Sequence, residues 1–163
     1  MRSLSDLTRR DGIALAGFLL LCLAVSGVGG AITATSVDTW YPALNKPWFN
    51  PPDWIFAPVW TLLYIMMAVA GWRVWRTPAS PGRRNALLLF LVQLTLNLSW
   101  SLLFFGYQQI GMALVEIVTL LAAIAANTLV FWRLDRLAGA LFVPYVAWVT
   151  YAALLNLSLW ILN

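Results

Sequence analysis

Apolar side chains run along this chain in five long blocks, and the breaks between them are short and polar. The blocks extend from about Ile13 to Ala34, Trp54 to Trp75, Asn85 to Phe105, Gln109 to Trp132 and Ala138 to Leu162. Each holds about 20–25 residues, enough at 1.5 Å per residue to cross a hydrocarbon layer of about 30 Å. Inside hydrocarbon every backbone N–H and C=O has to find its partner within the protein, so the blocks predict helices. The period-two alternation of a membrane barrel is absent. No internal repeat, low-complexity tract or second domain is visible. The expectation is an all-α membrane protein, a five-transmembrane-helix bundle forming a single domain over residues 1–163.

Composition agrees. The chain is 62% hydrophobic and 10% charged, with a mean hydropathy of +0.81. Soluble domains average about 45–50% apolar and about 25% charged residues. The net charge of +4 does not point to nucleic acid, because no basic stripe follows any one helix. Instead Arg2, Arg9, Arg10, Arg73, Arg76, Arg83, Arg84, Arg133 and Arg136 fall on one side of the five-span topology, and Lys46 alone on the other. By the positive-inside rule the N-terminus is cytoplasmic and the C-terminus outside. Arg9, Arg10 and the following apolar run could also be a cleaved signal peptide. The stretch from Ile13 to Val28 is long for one, and it is expected to be retained. Cys22 is the only cysteine and histidine is absent, so no disulfide, metal cluster or histidine base is expected. Small residues recur every four positions at Ser26, Gly30 and Ala34, and at Ala122 and Ala126, and predict close helix packing within or between monomers.

One connection differs from the rest. Residues 40–54 carry four prolines among Trp40, Tyr41, Trp48, Phe49 and Trp54. Proline stiffens the loop and the aromatics suit a headgroup region or a lid over one end of the bundle. Trp40-Tyr41, Leu44, Lys46-Pro47, Pro51-Pro52, Trp54, Ala57-Pro58-Val59-Trp60 and Tyr64 together resemble the signature of the TspO/MBR family. These are the tryptophan-rich sensory proteins, related to the translocator protein (peripheral benzodiazepine receptor). Gln93-Leu94, Asn97, Trp100, Phe104-Phe105-Gly106, Pro144-Tyr145, Ala147-Trp148 and Asn156 continue the resemblance, which covers nearly the whole chain from Gly29 onward. It implies a five-helix bundle that binds porphyrins and other flat apolar ligands and forms a homodimer in a bacterial cell membrane. The stretch Leu154-Leu155-Asn156-Leu157-Ser158-Leu159-Trp160 lacks the tyrosine and basic residue of the sterol-recognition pattern in animal relatives, so no specific sterol binding is expected.

Helical spacing gathers candidate ligand-binding residues without the family. Gln93, Asn97 and Trp100 share a face of the third span, and Trp60 and Tyr64 stack in the second. Tyr145, Trp148, Ala152 and Asn156 form a stripe of the fifth, and Met112, Glu116, Thr119 and Ala123 one of the fourth. Their depths, from about 9 Å for Trp60 to about 21 Å for Trp148, place them in one half of the bundle, beneath the proline-rich loop. Trp48 is the loop's candidate contact. Polar groups at such depth either join helices or orient a ligand between aromatic walls. The reading is a membrane receptor or sensor for tetrapyrroles, with porphyrin as ligand and no obligatory cofactor or metal. The alternatives are a transporter of such molecules or an enzyme. No acid–base dyad or nucleophile is visible. Resemblance implies one catalytic possibility, light- and oxygen-dependent porphyrin breakdown through Trp60 and Trp148. Trp54, Trp72, Trp75, Trp132 and Trp160 lie near span ends and read as interfacial belt residues.

Overall fold

Serine and threonine hydroxyls inside the apolar blocks close onto their own helices. Thr61, Thr95, Ser99, Thr119, Thr128 and Thr150 each donate to the carbonyl four residues back, at 2.7–3.1 Å. In hydrocarbon this pairs these hydroxyls and gives the helix no reason to open. The computed structural model describes residues 4–163, so Arg2 lies outside the described residues. Among the described residues five helices are long and apolar enough to cross a membrane: α1 (Leu4–Ala34), α2 (Phe56–Arg76), α3 (Pro81–Ser101), α4 (Ile110–Leu134) and α5 (Arg136–Leu162). The chain is an integral membrane protein with the expected five-helix architecture. The helices outrun the apolar blocks by a few residues, mainly at the charged end. There Pro81 starts α3 behind the Ser80 N-cap, and Asp135 caps α5. α3 ends in a π-helical turn, Leu102–Gly106, and a tight connection through Gln108, at φ 57°, leads to α4. Two short 3-10 turns, Tyr41–Ala43 and Asp53–Ile55, lie in the long connection before α2.

Around the bundle the order is α1, α2, α5, α4, α3, with α2 also touching α3 across the interior. The half remote from the long loop is solid. Phe90, Phe131 and Phe142 are completely buried, with ring centroids 5.1–6.3 Å apart, and Phe18 meets Phe90 edge-on. Two glycines let backbones close there. A Cβ on Gly71 would lie 2.9 Å from the Phe18 ring, and one on Gly139 would lie 2.6 Å from the Trp132 Cα. Electrostatics fastens the same end. Arg73 grips Asp135 through both carboxylate oxygens, at 3.1 and 2.8 Å, and Arg76 pairs with Asp11 at 3.1 Å. Arg83 donates to the carbonyls of Trp75 and Thr77. Partial burial works to raise the Asp135 pKa, but the Arg73 bonds and the α5 backbone N–H groups outweigh it and hold the carboxyl below its usual value.

Gly139→Ala should cost about 1–3 kcal/mol, because the obstacle is Trp132 backbone and cannot rotate away. Gly71→Ala should cost less, since a phenylalanine ring can shift. Thermal unfolding in detergent measures both, and an unchanged midpoint for Gly139→Ala would contradict the close α4–α5 approach. Asp135→Ala should cost about 1–2 kcal/mol through loss of the cap and the arginine pair. A depressed folded pKa stabilises above the unfolded value of about 3.9 and stops doing so as pH falls through the folded one, so this difference should shrink below about pH 3.9.

Candidate functional site

At the loop end the helices diverge around a cavity of about 430 Å³. α2 supplies Phe56, Trp60 and Tyr64, α3 supplies Asn97 and Trp100, and α5 supplies Trp148, Ala152 and Asn156. The π turn adds Phe104 and Phe105. The α1–α2 side is lined largely by small residues, Ser26, Gly29, Gly30 and Ala34 opposite Ala57 and Thr61. Tyr41 and Asp53, from the long connection, complete the rim.

The aromatic walls are held in fixed orientations. Trp100 stacks on Phe104 with centroids 5.2 Å apart, and its indole N–H donates to Asn156 Oδ1 at 3.1 Å. Asn156 in turn donates to the Ile110 carbonyl at 2.9 Å, which ties α3, α5 and α4 together. Trp60 lies against Tyr64 and edge-on to Tyr145. Trp148 contacts Phe56 and Tyr151, and its indole N–H has no partner. Beneath Trp60 runs a buried hydrogen-bond chain. Tyr64 Oη donates to Asn97 Oδ1, and Asn97 Nδ2 donates to Tyr145 Oη at 2.8 Å. Tyr145 Oη then donates to Gln93 Oε1 at 3.0 Å, and Gln93 Nε2 meets the Met67 sulfur.

Seven of the sequence-derived site residues therefore share the cavity wall: Trp60, Tyr64, Asn97, Trp100, Trp148, Ala152 and Asn156. Gln93 and Tyr145 do not reach it. They are fully buried and pin α3 to α5 below its floor, so the shared helix face continues into a deeper layer. The α4 stripe stands apart, because α4 sits behind α3 and α5 and contributes nothing to the wall. Met112 on that stripe is 59% exposed, whereas both Glu116 carboxylate oxygens are buried without a partner. Trp48 is 95% exposed and packs on Phe49, away from the cavity. The loop instead covers the site through Tyr41. That ring packs against Phe104 and Phe105, its hydroxyl donates to Asn50 Oδ1 at 2.7 Å, and Lys46 lies over its face. Burial, with the Asp53 charge adding to it, pushes the Tyr41 phenol up to about 12. The connection is fastened by Tyr151 Oη donating to the Phe49 carbonyl at 2.7 Å and by Asn45 and Asn163 bonding each other. Sequence reasoning missed the α1 wall. Ser26, Gly30 and Ala34 read as a packing seam, but they line the open cavity, and a Cβ on Gly30 would meet nothing within 4 Å.

A five-helix membrane bundle, solid in one half and opening into an aromatic chamber under a proline-stiffened loop in the other, defines a membrane protein of the receptor type. Residues 18–161 match the TspO/MBR family, and the chain belongs to that family. It is similar to the Tryptophan-rich protein TspO of Chlorobaculum tepidum, 44% identical over 144 residues that span 88% of this chain and 91% of that protein. The Tryptophan-rich sensory protein of Cereibacter sphaeroides is 39% identical over 90% of this chain and 89% of its own length. The Translocator protein of Sus scrofa is 38% identical over 83% of this chain and 84% of its own.

Tyr145→Phe should lower stability by about 1–2 kcal/mol, because it leaves the Asn97 amide and Gln93 carbonyl unpaired in the core. Thermal unfolding checks this, and a neutral result would mean the buried chain holds nothing together. Glu116→Gln should leave the fold and the cavity intact, with affinity for any cavity ligand changed by less than tenfold in a binding titration.

Proposed function

We propose that the cavity binds a porphyrin or a similar flat lipophilic molecule, and that the protein acts as a membrane receptor or sensor of it. The observation that carries this reading is the convergence of Trp60, Trp100 and Trp148 on one chamber with few polar groups. Stacking on indole faces supplies affinity, and the Asn97 and Asn156 amides and the unpartnered Trp148 N–H supply orientation. No histidine occurs in the sequence, so an iron porphyrin has no imidazole to take as axial ligand. A metal-free porphyrin, held chiefly by stacking, suits the lining better. The basic bias supports an orientation with the arginine-rich end in the cytoplasm of a bacterial cell and the cavity towards the outside. By similarity to the family we also propose a homodimer, which cross-linking in native membranes would test.

Titration of purified protein with metal-free protoporphyrin should give a saturable absorbance shift, and the absence of saturation would overturn the proposal. Trp60→Ala should weaken binding about fivefold or more by removing a stacking wall. Gly30→Leu fills the chamber where the fold leaves room, so it should depress affinity with little change in melting temperature. Trp48→Ala should leave the off-rate near wild type, whereas Tyr41→Ala, which unroofs the cavity, should raise it.

A second reading is favoured by the presence of Trp60 and Trp148 on the same wall: photo-oxidative breakdown of a bound porphyrin. Illumination in air, compared with Trp60→Phe and Trp148→Phe, discriminates it by the appearance of a new pigment.

A further inference from the structure

At the opposite end of the molecule a second, open concavity of about 690 Å³ runs along the outer side of α1, against Trp75 at the end of α2. Its walls are apolar: Ile13, Ala14, Gly17, Phe18 and Leu21. Gly17 forms a notch, since a Cβ there would meet nothing within 4 Å. Ile13 to Leu21 spans about 12 Å of helix, the upper part of one lipid leaflet. Arg9 and Arg10 stand at the mouth, with the Arg10 guanidinium 5.3 Å from the Trp75 ring centroid. The nearest described acid in sequence, Asp11, is occupied by Arg76. On this side of the five-span topology Arg9, Arg10, Arg73, Arg76, Arg83, Arg84, Arg133 and Arg136 outnumber the acids Asp6, Asp11 and Asp135.

We infer that this groove is a binding site for an anionic phospholipid, with its phosphate on Arg9 and Arg10 and an acyl chain laid along the Gly17 notch. The charge asymmetry selects the headgroup. Guanidinium offers a planar fork of donors to phosphate oxygens, and Trp75 holds one guanidinium in place at the depth where headgroups lie. The apolar floor selects a chain-bearing molecule over a free anion. A zwitterionic lipid fills the floor equally well but places a second positive charge beside the arginines. The site is separate from the cavity at the loop end and does not depend on what that cavity binds.

The test uses the full chain in detergent, offered equal amounts of phosphatidylglycerol and phosphatidylcholine with identical acyl chains, and counts retained lipids by native mass spectrometry. Wild type should retain phosphatidylglycerol at least about fivefold more, the factor expected of one basic residue near an anionic surface. The double variant Arg9→Gln, Arg10→Gln should bring the two lipids to parity. Gly17→Leu keeps both arginines, fills the notch, and should cut phosphatidylglycerol retention to a similar degree. Arg84→Gln, an exposed arginine outside the groove, should change nothing. Equal retention of both lipids by wild type would overturn the assignment. So would full retention by Gly17→Leu, or a loss in Arg84→Gln as large as in the double variant, either of which would reduce the effect to unspecific charge.

Discussion

Hydrocarbon offers no hydrogen bonds, so each backbone polar group that enters it must be answered within the protein, and most of the side-chain groups are answered there too. Most of the serines and threonines answer to their own helix. The amides and phenols of Tyr64, Gln93, Asn97, Tyr145 and Asn156 answer across helices, and these cross-links fix where α2, α3, α4 and α5 stand relative to one another. The chamber exists because they are placed at its floor and sides. Below them phenylalanine fills the interior; above them the helices are free to part. The cavity thus sits above the phenylalanine-packed half, with the inter-helix cross-links at the border.

The two ends of the molecule use charge differently. At the arginine-rich end, Asp135 and Asp11 are each spent on holding helices together, and the surplus arginines face the lipid boundary. At the loop end, order comes instead from proline, aromatic contacts and the amide exchange between Asn45 and Asn163. The loop's charges stay at its edge, with Lys46 over the Tyr41 ring and Asp53 on the rim, and the chamber beneath is walled mainly by aromatic and small side chains.

Much of this was legible in the sequence because the signals are physical and local. Twenty-odd apolar residues between arginines mean a spanning helix, and a helical face repeats every three to four residues. That reasoning brought Trp60, Tyr64, Asn97, Trp100, Trp148, Ala152 and Asn156 to one wall. It could not tell Gln93 and Tyr145, one layer deeper on the same faces, from the lining itself, since periodicity gives direction but not the height at which neighbouring helices part. Glu116 was misplaced for another reason. Whether α4 reaches the chamber depends on the order of helices around the bundle, which no single-helix pattern contains. Trp48 was chosen for its residue type, but the backbone of the loop turns Tyr41 inward. The small-residue stripe of α1, Ser26, Gly30 and Ala34, borders the cavity within this chain, and spacing alone does not distinguish a face that meets another helix from one that borders open space.

The chamber's walls differ in what else they do, and this sets how freely its selectivity can drift in evolution. Asn97 and Asn156 border the chamber and cross-link the scaffold at once, so a change there that alters the wall also removes a cross-link and has to be compensated elsewhere. Gly30, Ala34, Ala57 and Thr61 carry no such second duty: the Thr61 hydroxyl bonds only its own helix, and the space beside Gly30 is open. Size and shape preference can therefore be rewritten along the α1–α2 side by single substitutions of near-neutral stability, while the α3–α5 side stays constant. Within one scaffold, diversity of ligands is expected to collect on one flank and constancy on the other.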